Sequence, residues 1–178
     1  VVVWWLAFLI LTIAGERLEL SRFLPPSPVA QRAFAAILVV LGAGLLAAAR
    51  PAGQQVFAAG LVALAGWLLK QDVARRTVRS HGLTRFIAVC MLSGYAWLAV
   101  GGGIAIAAGG FVPGTASYDA ILHALTLGFV FSMVFGHAPV IAPSVMRVAV
   151  PYHATFYVPL ALLHVSLAVR LWGDATGD

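Results

Sequence analysis

Apolar runs of about twenty residues, almost free of charge, constrain the fold of this chain more than any other feature. Residues 33–49, 86–108 and 120–146 contain no Asp, Glu, Lys or Arg, and the charged residues gather in short segments between such runs. A soluble domain carries roughly 25% charged residues, whereas here only 10% are charged and 62% are hydrophobic. With 178 residues and a mean hydropathy of +0.98, the chain has no soluble way to hide that surface. The runs are continuously apolar rather than alternating, which argues against strands. The reading is an all-α polytopic transmembrane bundle of about six helices, forming one domain over residues 1–178 without internal repeats.

The expected spans are 1–20, 29–49, 54–69, 83–108, 119–138 and 152–172. Pro25, Pro26 and Pro28 punctuate the first turn, and Arg50, Pro51 and Gly53 the second. Pro139, Pro143 and Pro151 are expected to break the chain after the fifth span. Gly101, Gly102 and Gly103 in the fourth span offer small surfaces for close helix approach. The start at Val1 rather than Met and the short run to Ile13 imply further residues upstream, and the segment, lacking the basic leader and cleavage site of a signal peptide, is kept in the fold.

Basic residues set an orientation. Arg17, Arg22 and Arg32 flank the first loop, Lys70, Arg75, Arg76 and Arg79 the third, and Arg147 the fifth. Loops after helices one, three and five are therefore expected to be cytoplasmic. The net charge of +5 is thus assigned to membrane-facing loops, and nucleic acid is excluded as a partner. The expected partners are the lipid bilayer and other membrane subunits. One cysteine, Cys90, permits neither an internal disulfide nor a Cys-based metal site, and is assigned to packing.

The functional signal is histidine. His123, His137, His153 and His164 fall in or beside the last two spans, and His81 is read as a solvated helix start. At about 100° per residue, the 14-residue step from His123 to His137 leaves them within ~40° and ~21 Å apart along the axis. The 11-residue step from His153 to His164 gives ~20° and ~16 Å. Antiparallel helices would then stack His137 with His153 and His123 with His164. Imidazole suits haem iron, copper and zinc, and ionisable groups within a span mark functional sites. Directly packed helices lie about 8 to 10 Å apart, so a haem held between these pairs requires the helices to face each other across a bundle. Each histidine also has a plainer reading as an interfacial or packing residue. Met133, near the face joining His123 to His137, is a weak soft-metal candidate against a core role. Glu16, Arg17 and Glu19, with Tyr157 one turn from His153, are weak candidates for a proton or ion-pair network.

The segments His123-Ala124-Leu125-Thr126-Leu127-Gly128, Phe135-Gly136-His137-Ala138-Pro139, Pro151-Tyr152-His153 and Leu162-Leu163-His164 resemble the histidine-bearing helices of NnrS-type membrane proteins. The resemblance covers about the last third of the chain, and that family has about twice as many helices. It implies a bacterial inner-membrane protein with haem b and copper, linked to nitric oxide. The spacing also matches di-haem cytochromes b. Phe135-Gly136-His137 with Pro139 is similar to the copper-ligand helix of haem-copper oxidase subunit I, but the adjacent His-His pair of that family is absent. No nucleophile or carboxylate pair points to hydrolysis. Three readings follow: haem and copper binding for electron transfer or gas response, a metal-ion or proton transporter using a histidine relay, and a structural or assembly subunit.

Overall fold

The computed structural model describes residues 1–20, 27–148 and 151–176, and every described regular element is helical. In chain order these are α1 (Val2–Leu20), α2 (Pro28–Leu46), α3 (Pro51–Gln71), the short α4 (Ala74–Thr77), α5 (Gly82–Ala107), α6 (Ala116–His123), a π-helical segment (Ala124–Val130), α7 (Phe131–Met146), a 3-10 turn (Ala154–Phe156) and α8 (Tyr157–Thr176). Five stretches are long and apolar enough to cross a membrane: Pro28–Leu46, Pro51–Gln71, Gly82–Ala107, Ala116–Met146 and Ala154–Thr176. α1 has 19 residues but carries Glu16, Arg17 and Glu19 in its last turns. Pro25, Pro26 and Arg22 of the expected first turn lie outside the described residues.

Helix starts follow local chemistry. Ser27 caps α2 by accepting the Ala30 N–H, with Pro28 in the first turn, where its missing N–H costs nothing. Pro51 begins α3 in the same way, three residues before the expected start. Thr115 caps α6 through the Tyr118 N–H.

The expected break at Pro139 is corrected. α7 runs through both Pro139 and Pro143 and stops at Arg147, which takes a left-handed φ of 53°. Proline removes one helical hydrogen bond and crowds the preceding turn. In apolar surroundings, neighbouring groups and small local adjustments accommodate that loss. Helicity is the cheapest way to satisfy the remaining amides, and Ser144 adds a bond to the Val140 carbonyl at 3.0 Å.

The core lies where α5 packs between α3 on one side and the α6–π–α7 column on the other. Small residues set the spacing. A Cβ on Gly102 would meet the Ala58 carbonyl at 3.1 Å, and one on Gly101 would meet Leu125 at 2.7 Å. Gly94 receives the Met133 methyl, and Gly136 receives that of Met91, a reciprocal fit between α5 and α7. The glycine run of α5 therefore allows close packing without interrupting the helix. α1 and α8 are peripheral. Val158, Leu162, Val165 and Val169 of α8 are exposed, as suits a surface solvated by lipid.

Candidate functional site

The candidate residues fall into separate environments, and the decisive detail in each is which imidazole nitrogen holds the proton. His137 lies on α7, and its Nδ1 is 2.6 Å from the Met133 carbonyl, an acceptor only, so Nδ1 carries the proton. Its Nε2 lone pair faces Arg17 Nη2 of α1 at 2.7 Å. Glu16 Oε1 stands 3.6 Å from both Arg17 Nη2 and His137 Nε2. Arg17 is buried, and its Nε has no hydrogen-bond partner among the described residues.

His123 repeats half of this arrangement. Its Nδ1–H donates to the Asp119 carbonyl at 2.7 Å, leaving Nε2 as a lone pair. The ring lines an apolar cleft of about 370 Å³ shared with Trp5, Leu6 and Leu9 of α1 and Thr126 and Leu127 of the π segment. A second cleft, of about 530 Å³, runs beside His137 and includes Ile13 and Glu16 of α1. Both rings therefore face clefts walled by α1.

His164 faces elsewhere. Trp97 Nε1–H donates to its Nδ1 at 2.9 Å, so its proton sits on Nε2, which meets Ser93 Oγ at 3.0 Å. Ser93 passes the chain on to the Cys90 carbonyl at 3.1 Å. Both nitrogens are thus engaged within the protein, and the ring stacks beside Trp97. His153 is exposed and caps the 3-10 turn, its Nδ1 accepting the Thr155 N–H at 3.3 Å. The hydrogen bonds of these rings run elsewhere than across the expected stacked pairs: His137 bonds to α1, His164 to α5, and His153 to its own turn.

The weaker candidates divide similarly. Met133 is buried with its methyl in the Gly94 hollow, a packing role. Tyr157 packs edge-on against Phe86 with ring centroids 5.1 Å apart. Glu16 and Arg17 join His137, while Glu19 is exposed. His81 is exposed at the start of α5, and Cys90 is a free buried thiol.

Sequence reasoning missed a second polar pair. The hydroxyl of fully buried Tyr95 donates to Asp72 Oδ2 at 2.7 Å, and Asp72 Oδ1 accepts the Ala74 N–H at 2.7 Å. Arg17 and Glu16 lie within electrostatic reach of that hydroxyl. The available signal was a single acid at the end of the third span, directly after Lys70 and Gln71, and a tyrosine inside an uncharged one. Ser93 and Trp97 were likewise missed, although their i, i+4 spacing places both on one face of α5.

A family model described as "Domain of unknown function (DUF8744)" matches residues 1–178. The chain belongs to the DUF8744 family. No curated protein and no solved structure matches it. Among the described residues, no group of three or more His, Cys, Asp or Glu side chains is placed to hold a metal ion.

Proposed function

We propose that this DUF8744 member is a bacterial inner-membrane protein that holds haem b beside α1, with His123 as axial ligand, for electron transfer or nitric-oxide-type gas response. Copper is the companion metal that the NnrS-like motifs imply, and the loops after α1, α3 and α7 face the cytoplasm in this reading. The observation that carries it is the His123 imidazole. An Nδ1–H fixed on a backbone carbonyl orients the ring and raises the basicity of Nε2, the second-shell pattern of ligating histidines. The cleft around it is lined mostly by apolar side chains, the surroundings a macrocycle would need. Haem iron would supply one-electron chemistry and an open position for a diatomic gas. His137 shares the same tautomer, but Arg17 stands on its lone pair, and a fixed cation 2.7 Å away disfavours metal binding there.

That same Arg17 contact favours a second reading, a proton or ion relay. Glu16, Arg17 and His137 form a polar group at one end of α1, with Asp72 and Tyr95 nearby. Buried ionisable groups in a bundle mark such paths.

The test is the visible spectrum of the detergent-purified full-length protein, oxidised and then dithionite-reduced, beside His123→Ala and His164→Ala variants. The haem reading expects a sharp reduced band that His123→Ala abolishes and His164→Ala retains. A featureless spectrum under full haem supply, or a band indifferent to His123→Ala, would overturn it and leave the relay.

A further inference from the structure

The connection between α3 and α5 carries a charge pattern that neither the haem nor the relay reading uses. Lys70, Arg75, Arg76, Arg79 and Arg85 all fall between positions 70 and 85, Asp72 is the one acid in that stretch, and residues 73–118 contain no Asp or Glu. Asp72 pairs with none of these cations. Its Oδ2 accepts the hydroxyl of fully buried Tyr95 at 2.7 Å, and its Oδ1 accepts the Ala74 N–H at 2.7 Å. The carboxylate is thus spent on tying the start of α4 to α5, and the arginines that follow stand on backbone anchored to the core.

Helical winding sorts this segment into two faces. Backbone bonds from Thr77 to Val73, Val78 to Ala74 and Arg79 to Arg76 carry the turn of α4 on to Arg79. Residues three and four apart share a face. Ala74 is buried in the core with Val78 packed beside it, and Thr77 is half-buried. Arg75, Arg76 and Arg79 are all exposed, with Arg79 three and four positions from the other two. Among the described residues, none of the three forms an ion pair. Arginines elsewhere are placed differently: Arg17 meets His137, Arg170 pairs with Asp119 and Asp174, and Arg50 stands alone at the turn between α2 and α3. Three guanidiniums on one turn repel one another, and an anion seated between them relieves that repulsion.

The level of α4 in the fold decides which anion reaches it. α3 and α5 are both long and apolar enough to cross a membrane, so the short helix joining their ends lies at the bilayer surface, among headgroups. Tyr152 lies over Gly82 at the start of α5 and packs edge-on against Phe156, an aromatic pair of the kind that settles at that depth. Val73, three residues before Arg76, is 41% exposed and suits the apolar boundary beneath a headgroup better than water. A guanidinium forks onto phosphate oxygens with two parallel N–H donors. In a zwitterionic lipid the phosphate already has its own ammonium close by. We infer that the outer face of α4, with Arg75, Arg76 and Arg79, docks an anionic phospholipid headgroup, a phosphodiester with no compensating cation. This goes beyond the haem and relay readings and depends on neither.

The experiment places the full-length protein in nanodiscs of equal parts phosphatidylglycerol and phosphatidylcholine with matched acyl chains, and native mass spectrometry reads which lipids stay bound on release. The expected result is a preference of about tenfold for phosphatidylglycerol, the order set by a few surface cations facing an anionic lipid. Replacing Arg75, Arg76 and Arg79 together by Gln should reduce that preference to about twofold or less, and Arg76→Gln alone should lower it by about threefold. Arg50→Gln, which removes one exposed cation from a different turn, should leave it unchanged. All three α4 positions are exposed, so the substitutions spare the core, and circular dichroism melts establish that each variant is folded. The single variant carries the test if the triple one does not fold. Equal retention of the two lipids by the unaltered protein, a preference that survives the α4 substitutions, or an equal loss in Arg50→Gln overturns the assignment. Loss of the preference on adding millimolar inorganic phosphate would also overturn it, identifying a free phosphate as the occupant.

Discussion

Gly128 sits in the π segment against the root of Trp97, and this tests whether packing two helices away sets the His164 network. A Cβ added at Gly128 would lie 2.5 Å from Trp97 Cγ and 2.6 Å from Trp97 Cβ. Trp97 Cβ is fixed to the α5 backbone and cannot swing aside. Gly128→Ala must therefore separate the π segment from α5 or push Trp97 out of its rotamer, taking its N–H away from His164 Nδ1. Overpacking costs about 1–3 kcal/mol, and the His164 acceptor left without its donor costs roughly 1 kcal/mol more. The better helix propensity of alanine returns about 1 kcal/mol, leaving a net destabilisation of ~1–3 kcal/mol. Gly103→Ala in α5 is the control, because a Cβ there meets nothing within 4 Å. It should stabilise by roughly 0.5–1 kcal/mol. Denaturant unfolding in mixed micelles, followed by helical circular dichroism, reads both variants. The ¹⁵N resonances of His164 report whether the proton has left Nε2. If Gly128→Ala were as stable as Gly103→Ala with the His164 tautomer unchanged, the packing argument would be wrong.

The histidines should differ in solution as they do in the structure: ¹⁵N spectra are expected to place the proton on Nδ1 in His123 and His137 and on Nε2 in His164, and a shared tautomer would refute the assignments. Tyr95→Phe removes a donor to a carboxylate and should cost about 1.5–3 kcal/mol. A double-mutant cycle with Asp72→Asn should return a coupling above ~0.5 kcal/mol, the level expected for residues in contact. Asp119→Asn breaks the 3.0 Å pair with Arg170, but both side chains are 51% exposed. The loss should be ~0.2–1 kcal/mol and should shrink at high salt, so a larger, salt-independent loss would mean the pair is more shielded than its exposure implies.

Five of the six expected spans coincide with helices long and apolar enough to cross a membrane, because a bilayer demands about twenty apolar residues per crossing and little else. Pro28 and Pro51 marked helix starts for a local reason, the missing N–H of a first turn. Pro139 and Pro143 misled because the same residue breaks a helix in water more readily than in an apolar bundle. The chemistry of the site was only half legible. The histidines could be placed on their helices, but their partners could not, since Arg17 lies 120 residues from His137 and Trp97 lies 67 from His164.

The angular arithmetic for His123 and His137 presumes an unbroken α-helix, yet seven π-helical residues, Ala124–Val130, lie between them. Each extra residue accommodated in a π turn rotates everything beyond it by about 100° relative to an α-helix. No periodicity in the apolar sequence signals that shift. Both imidazoles nonetheless end beside clefts lined by α1, because the Nδ1–H of each folds back onto its own i−4 carbonyl and leaves Nε2 projecting outward. The helix that closes both clefts is also the one whose last turns carry charge, so α1 is the element on which the haem and relay readings both turn.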